Sequence, residues 1–253
     1  MKIYIDREYG YMMDFVREIP QHEYQVQKVF RNNRNIVELT QCQDTPLVVK
    51  KFKRPTLANC VIYTFLRRTK PQRAFDNALM LRSMGIDTAT PVAYIEQKRH
   101  GFFHTGWFIA KFLPYDTLDK VYDSLPDEAS RKQLISAFLQ FTVDMANKGI
   151  INKDYNSTNI LTHKERDGQW HFALVDINRI RLGRPKLHDE AHALEQLGAS
   201  PELLVKYLPQ YAQSRKLDQD ELFAILYVGK LWHKFTRAAK EKIKRMVGIT
   251  PKK

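Results

Sequence analysis

The stretch from residue 150 to residue 176 constrains the fold of this chain more than any other part of the sequence. Asp154 is followed five residues later by Asn159, and an apolar pair comes directly after the asparagine. A polar turn with a glycine, residues 165–168, then leads into an apolar run that ends at Asp176. Apolar runs on both sides of such a turn predict two short paired strands. The pattern therefore predicts a loop and a hairpin that carry three oxygen-bearing side chains.

These three side chains are of the types that phosphoryl transfer from ATP requires. A carboxylate orients the acceptor hydroxyl or accepts its proton, and oxygen ligands hold Mg²⁺ against the phosphates. In a D-x-x-x-x-N loop, Asp154 is the candidate catalytic residue and Asn159 is a candidate metal ligand. Asp176, at the end of the second strand, is the other candidate metal ligand. The spacing predicts the catalytic loop of a kinase that uses ATP and Mg²⁺.

Each of these residues also has a plain structural interpretation. An Asp or Asn in a loop commonly forms a turn, and an Asp at the end of a strand commonly caps a neighbouring group. The combination of loop, hairpin and three correctly spaced side chains is much rarer than any one of them. We therefore favour the kinase interpretation.

Residues 152–161, NKDYNSTNIL, and residues 175–179, VDINR, resemble the bacterial lipopolysaccharide kinases (Kdo/WaaP family) of the protein-kinase-like superfamily. The resemblance implies an α+β, bilobal fold with a mainly β N-lobe and a mainly α C-lobe. It also implies that the acceptor is a sugar, Kdo or heptose, of the lipopolysaccharide inner core or of a lipid-linked precursor. NKD stands where protein kinases have HRD, and DINR replaces DFG, as in sugar and lipopolysaccharide kinases.

The nucleotide requires a lysine, and a strand at residues 46–52, PLVVKKF, resembles the kinase strand that provides it. Lys50 is the best candidate for contacting the α- and β-phosphates. Side chains alternate along a strand, so Lys51 is expected on the other face, and a slip of one residue would exchange the two. A helix is predicted from Pro71 to Gly85, and Asp76 on it is the candidate partner of Lys50.

The strand predicted at residues 106–112 leads into a hinge whose backbone would bind adenine. Lys111 and Leu113 are therefore candidate cofactor-binding residues. The hinge divides the chain into an N-lobe, residues 1–114, and a C-lobe, residues 115–253.

The hairpin predicted from residues 26–30 and 36–40 would cover the phosphates, yet it contains no glycine. The G-x-G-x-x-G cradle of protein kinases is therefore absent. Arg31 or Arg34 offers positive charge in its place, and a solvated polar turn is the alternative interpretation.

The remaining segments have weaker signals. Residues 1–20 are expected to be an irregular leader with short strand character, and residues 131–148 form an amphipathic helix that ends before a glycine. Residues 187–229 are expected to form three short helices, with breaks at Ser200-Pro201 and Leu208-Pro209.

The net charge of +13 is concentrated in two segments. Residues 50–73 contain eight Lys or Arg and no acid, and residues 230–253 contain nine against one glutamate. In the second segment, apolar residues recur at helical spacing, so it either packs on the C-lobe or docks on an anionic membrane surface.

No stretch is apolar enough for a membrane span, and the charged start does not resemble a signal peptide. We therefore expect a cytoplasmic protein that is peripheral at the inner membrane. The two cysteines belong to no recognisable motif, so they suggest neither a disulfide nor a zinc site.

Other functions are also compatible with the sequence. They are a small-molecule or protein kinase of the same fold, a pseudokinase and a basic nucleic-acid-binding protein. The aromatic residues fall at expected core positions instead of alternating with the basic runs, which argues against nucleic acid as a partner.

Overall fold

The computed structural model describes residues 1–33, 35–198 and 200–246, the last ten of these as helix backbone. The strands are β1 (Lys2–Ile5), β2 (Lys28–Asn32), β3 (Ile36–Cys42), β4 (Thr45–Phe52), β5 (Asp87–Thr88), β6 (Pro91–Arg99), β7 (Phe102–Lys111), β8 (Asp116–Thr117), β9 (Ile150–Asn152), β10 (Ile160–Lys164), β11 (Trp170–Leu174) and β12 (Ile180–Leu182). The helices are α1 (Met13–Glu18), α2 (Leu57–Phe65), α3 (Lys70–Ser83), α4 (Leu118–Ser124), α5 (Glu128–Asn147), α6 (Leu187–Gln196), α7 (Pro201–Arg215) and α8 (Gln219–Met246).

The chain divides into two compact units. The first contains residues 1–123 and 158–180, and the second contains residues 124–157 and the rest of the described chain from residue 181. The predicted lobe boundary after residue 114 stays a prediction.

A six-stranded sheet in the order β1-β6-β7-β4-β3-β2 forms the body of the first unit. Apolar side chains alternate along its central strands, and Leu47, Val49 and Ile109 are almost fully buried in its core. The pairing of β4 places Lys50 opposite Phe108 and Lys51 opposite Trp107. The alternation that was predicted for the two lysines is therefore present.

The N-terminal leader contains the expected short strand but is otherwise helical. β1 pairs with β6 at the edge of the sheet, and a 3₁₀ turn and α1 follow. Met12, Val16 and Ile19 recur at helical spacing and are buried in the sheet core. The expectation of an irregular leader was wrong, because these three apolar residues stabilise a helix there by packing.

A smaller sheet in the order β5-β11-β10-β8 completes the first unit. β10 and β11 form the predicted antiparallel hairpin, with Ile160 opposite Leu174. The hydroxyl of Thr88 donates a hydrogen bond to the backbone oxygen of Leu174 at 2.6 Å, which fixes β11 at its last residue. The position of Asp176, two residues further on, is therefore set by a buried strand.

The second unit is mainly helical. Its core contains Leu139 and Val143 of α5, Leu194 of α6, and Leu208 and Tyr211 of α7. α5 stops at the predicted place, where Gly149 adopts a left-handed conformation with φ of 72°. Within the described ranges, no helix is both long enough and apolar enough to cross a membrane.

The break that was predicted at Leu208-Pro209 is wrong. α7 continues through Pro209, and the chain turns instead at Lys216, whose φ is 53°. Proline removes one backbone hydrogen bond from a helix. The buried side chains of Leu208, Tyr211 and Ala212 next to it offset that loss by packing on the core of this unit.

A buried ionic cluster joins α6 and α7. Glu190 is 3% exposed, and its carboxylate accepts hydrogen bonds from Nη2 of Arg215 at 2.8 Å and from the hydroxyl of Tyr211 at 2.8 Å. Burial and the carboxylate of Glu190 raise the pKa of Tyr211, and the hydrogen bond from Arg215 to Glu190 raises the pKa of Arg215. The carboxylate is thus paired with a cation and with a neutral donor.

Replacing Arg215 by alanine should destabilise the protein strongly, because it leaves the buried carboxylate of Glu190 without its counter-ion. We expect a loss of about 3–5 kcal/mol in the free energy of unfolding. Lys206→Ala is the matched control, since it removes an exposed ion pair with Glu128 and should cost less than about 1 kcal/mol. Urea denaturation of both variants measures the difference, and equal losses would contradict the buried cluster.

Candidate active site

The first unit encloses a cavity of about 500 Å³ between its two sheets. Its walls are mostly apolar, and its polar groups come from several separate elements. The apolar walls include Val37, Val48, Ala110, Leu161 and Val175, and the polar lining includes Lys50, Asp116, Asp119, Asn159 and Asp176. A cavity of this size with a few converging polar groups is typical of a site for a small molecule or cofactor.

An ion pair lies within this cavity. Nζ of Lys50 is 2.6 Å from Oδ1 of Asp176, and the two side chains are 11% and 14% exposed. Lys51, on the opposite face of β4, places its ammonium over the ring of Trp107 at 5.4 Å from the centroid. Lys50 is therefore the lysine that faces the cavity, as the alternation of β4 predicted.

The structure gives Asp76 a different partner from the expected one. Its Oδ2 is 2.9 Å from Nη1 of Arg68, and Asp76 does not appear among the described residues that line the cavity. The expected pair between Lys50 and Asp76 is replaced by two pairs, one between Lys50 and Asp176 and one between Arg68 and Asp76. The buried side chains of α3, such as Ala74 and Ala78, share one face, and Asp76 lies off that face with a half-exposed side chain.

Asp176 is held in an unusual backbone conformation, with φ of 56° and ψ of 43°. Asp is one of the few residues that tolerate the left-handed region. It stands at the start of a short 3₁₀ turn, and Nδ2 of Asn178 donates a hydrogen bond to its Oδ1 at 2.5 Å. Asn178 is itself buried. Asn178, the asparagine of the DINR sequence, therefore holds the carboxylate of Asp176 in place. We did not predict this contact from the sequence.

A second unpredicted asparagine ties α3 to the same turn. Nδ2 of Asn77 donates a hydrogen bond to the backbone oxygen of Ile177 at 2.7 Å. This bond holds the helix directly against the residue that follows Asp176. The only signal for it in the sequence is a polar residue next to the buried positions of the helix.

The predicted hinge residues line the cavity. The backbone N–H of Lys111 donates to the oxygen of Thr90 at 2.9 Å, and Lys111 and Leu113 both contribute to the wall. The ammonium of Lys111 lies 4.8 Å from the ring centroid of Tyr9, and its hydrogen bond to Tyr9 raises the pKa of the lysine. The ammonium of Lys111 is therefore engaged by Tyr9 and its backbone N–H by Thr90.

β2 contributes cationic and aromatic groups to the cavity where the glycine-rich loop is missing. Lys28, Phe30 and Arg31 all line the cavity, and Arg34 lies outside the described residues. The ring of Phe30 stacks on the ring of Phe112 with centroids 5.8 Å apart, and the ammonium of Lys28 lies over Phe30.

Oxygen ligands are available for a divalent cation. Asn159 is buried and lines the cavity, as does the carboxylate of Asp176. Carboxylate and amide oxygens are the ligands that Mg²⁺ prefers. One further oxygen, Oδ1 of Asp119, is buried in this wall without a hydrogen-bond partner among the described groups. An unsatisfied buried acceptor favours a ligand that donates a hydrogen bond there.

Asp154 lies in the second unit, in a loop fixed by its neighbours. Its backbone N–H donates to Oδ1 of Asn152 at 3.0 Å, and its backbone oxygen accepts from the N–H of Asn156 at 3.1 Å. The next residue, Tyr155, is 1% exposed, and its hydroxyl lies 2.8 Å from that of Thr142 on α5. Burial raises the pKa of Tyr155, so this phenol stays neutral and acts as an anchor for the loop.

The fold and this cavity define a phosphotransferase of the protein-kinase-like class. The model of the lipopolysaccharide kinase (Kdo/WaaP) family matches residues 32–205, so the chain belongs to that family. A structure of WaaP in complex with acyl carrier protein is similar over 90% of this chain and 98% of its own, with a TM-score of 0.63 and 14% identity.

A second similar structure is a complex of the Rio2 kinase of Chaetomium thermophilum with ADP, Mg²⁺ and phosphoaspartate. It covers 96% of this chain and 77% of its own, with a TM-score of 0.54 and 14% identity. No curated protein sequence matches the chain. The family match and the two structures confirm the predicted α+β, kinase-like fold and the prediction of a phosphotransferase.

The two adjacent lysines of β4 should differ sharply in function. Lys50→Ala removes the cation that faces the cavity, so we expect at least about a tenfold weaker affinity for Mg²⁺-ATP or a loss of activity. Lys51→Ala removes a surface cation over Trp107 and should change either quantity less than about twofold. Calorimetric titration with nucleotide measures the affinities, and a stronger effect of Lys51→Ala would contradict the assignment.

Proposed function

We propose that this chain transfers the γ-phosphoryl group of ATP to a sugar, Kdo or heptose, of the lipopolysaccharide inner core at the cytoplasmic face of the inner membrane. The observation that carries the proposal is the ion pair of Lys50 and Asp176 in a 500 Å³ cavity that Asn159 also lines. A lysine, a strand-terminal aspartate and a loop asparagine are the groups that kinases use for the phosphates and the metal.

The cavity suits ATP along its whole length. The hinge backbone at Lys111 and Leu113 would bind adenine, and the buried oxygen of Asp119 would accept hydrogen bonds from the ribose hydroxyls. Lys50 would contact the α- and β-phosphates. Arg31 on β2 would supply the positive charge that a glycine-rich loop supplies through its backbone N–H groups. We assign Asp76 no role in nucleotide binding, since its ion pair is with Arg68.

Asp176 and Asn159 would hold Mg²⁺, which bridges the phosphates and neutralises the charge that develops on them. Asp154 would orient the acceptor hydroxyl and accept its proton. Its loop is anchored by the buried Tyr155, and a fixed loop backbone favours a defined position of the carboxylate.

The charge of the first unit suits an anionic acceptor. Arg73 on α3 is half-buried, and its Nε has no hydrogen-bond partner among the described groups. Burial and the positive charges of Arg67 and Arg179 lower the pKa of Arg73. A guanidinium in such a cationic environment favours a ligand that carries a carboxylate or a phosphate.

Loss of the gene should remove one phosphate from the lipopolysaccharide core. Mass analysis of lipopolysaccharide from cells with and without the gene measures this, and complementation with Asp154→Asn should not restore the phosphate. An unchanged core would contradict the proposed acceptor. Phosphorylation of a small soluble sugar by the purified protein would then indicate a kinase for another acceptor.

The catalytic carboxylate and the metal ligands should differ in their effects. Asp154→Asn should lower turnover at least about 100-fold and leave the affinity for Mg²⁺-ATP within about twofold, because its role lies in the transition state. Asp176→Ala and Asn159→Ala should weaken the binding of the metal–nucleotide complex as well as turnover. Full turnover by a folded Asp154→Asn variant, or unchanged Mg²⁺ dependence in both others, would contradict these roles.

We further propose that α8 docks on an anionic membrane surface. Five of its apolar side chains, Tyr227, Val228, Leu231, Trp232 and Phe235, are 51–67% exposed. They recur at helical spacing, so they form one apolar stripe on the solvent side of the helix. The basic residues beyond position 236 complete the pattern in the sequence, and their side chains lie outside the described residues. An apolar stripe among basic residues suits the interface of an anionic bilayer.

Removal of residues 234–253 should weaken binding to vesicles that contain phosphatidylglycerol, and activity on a soluble acceptor should survive. Trp232→Ser with Phe235→Ser should have the same effect in the full-length chain, and Val205→Ser, an exposed apolar position on α7, is the control. Binding should also weaken as salt rises, because the attraction is screened over about 8 Å at physiological ionic strength. Unchanged binding of the double variant would contradict docking through α8.

A further inference from the structure

The helix α2 packs on the first unit through one of its faces. Cys60 on that face is buried. The hydroxyl of Thr64 donates to the oxygen of Cys60 at 2.7 Å and accepts from the N–H of Phe103 at 2.9 Å. The ring of Tyr63 meets the ring of Phe103 edge-on, with centroids 5.8 Å apart. This inner face therefore holds the orientation of the helix on β7.

The outer face of α2 presents large apolar side chains to solvent. Leu57, Val61 and Phe65 are spaced four residues apart and are 79%, 46% and 71% exposed, and Leu66 is 80% exposed. Phe102 on β7 is also exposed, and its ring lies 6.1 Å from that of Phe65. We call these five residues the α2 ridge. A contiguous exposed apolar patch of this kind marks a binding surface.

Positive charge surrounds the α2 ridge. Lys53 and Arg54 precede α2 and are exposed, Arg67 follows it and is exposed, and Arg99 lies at the end of β6 nearby. Residues 50–73 contain no acid in the sequence. Burial lowers the pKa of His104, and the positive charges of Arg54 and Arg99 lower it further.

A second cavity of about 340 Å³ opens beside the ridge, between α2 and the β6–β7 hairpin. Leu57, Val61 and Phe102 of the ridge contribute to its lining together with Arg54 and Arg99. Apolar surface and guanidinium groups therefore share one opening. That combination suits a ligand with an anionic head and an apolar body.

We propose that the α2 ridge docks the first unit on an anionic lipid bilayer, with the apolar side chains inserted at the interface and the arginines on lipid phosphates. The side chains of Leu57, Phe65 and Leu66 are 71–80% exposed, which suits insertion among lipids. A second copy of this chain would bring two basic surfaces together, and like charges repel. This inference extends the proposed membrane docking to the first unit, and it depends neither on α8 nor on phosphoryl transfer.

The decisive experiment compares the full-length chain with a triple variant, Leu57→Ser, Phe65→Ser and Leu66→Ser. These side chains are exposed, so the fold should persist, and unchanged nucleotide-dependent thermal stabilisation checks this. In sedimentation with vesicles of phosphatidylcholine and phosphatidylglycerol, the triple variant should bind about 100-fold more weakly. Val205→Ser should bind as the wild type does.

Arg54 and Arg99 should account for the dependence of vesicle binding on lipid charge. Arg54→Gln and Arg99→Gln should each lower the partition coefficient about fivefold on anionic vesicles, which corresponds to ~1 kcal/mol per charge. Pure phosphatidylcholine vesicles should show no such difference. A Phe65→Trp variant should shift its fluorescence to shorter wavelength when anionic vesicles are added, because the indole enters an apolar environment.

Three results would overturn the inference. The first is a triple variant that binds anionic vesicles as strongly as the wild type, whatever the effect of the α8 variants. The second is an unshifted Phe65→Trp emission in a sample that is bound to vesicles. The third is ridge-dependent self-association in analytical ultracentrifugation without vesicle binding, which would show that the ridge is an interface between copies of the chain.

Discussion

Two opposite charges, the ammonium of Lys50 and the carboxylate of Asp176, meet at 2.6 Å in a cavity with mostly apolar walls. Removing two ions from water is costly, and their attraction offsets that cost only where the geometry is good and further hydrogen bonds are present. Several separate elements provide that geometry. The central sheet directs Lys50 into the cavity, and the buried strand β11 delivers Asp176 to the same place. An ion pair of this kind contributes little to stability, so its place in the cavity is better explained by ligand binding.

Two asparagines, Asn77 and Asn178, hold the turn that begins at Asp176. In the DINR sequence, Asn178 donates to the carboxylate of Asp176, whereas the glycine of DFG has no side chain to do so. On α3, Asn77 holds the backbone oxygen of Ile177, and Asp76 pairs with Arg68. The helix is thus tied to the turn that follows Asp176 by a neutral hydrogen bond. Both groups of this bond are neutral and neither titrates, so the bond itself does not depend on protonation.

Positive charge and exposed apolar surface occur together at two places, α2 and α8. On α2, the inner face is fixed by Cys60, Tyr63 and Thr64, so the apolar ridge has no neighbour to cover it within the described part of the first unit. Apolar residues in such positions would lower solubility if nothing bound them. The adjacent arginines make an anionic and partly apolar partner the best match, and a lipid surface has both properties.

The sequence by itself determined the class of the protein and most of the local structure around the candidate site. The spacing of Asp154, Asn159 and Asp176 predicted the kinase class, and the alternation along β4 selected Lys50 over Lys51, because both patterns are local. The sequence misplaced the break at Pro209, because a helix that loses one hydrogen bond can still be stabilised when the side chains next to the proline pack on residues that lie far away in the chain.

Only the tertiary structure decided which groups meet. It paired Lys50 with Asp176 and Asp76 with Arg68, it brought Asn77 to Ile177, and it left an oxygen of Asp119 unsatisfied in the cavity wall. It also showed which apolar side chains of α2 stay in solvent. Each of these facts depends on contacts between residues distant in sequence, and such contacts are fixed by packing, not by local pattern.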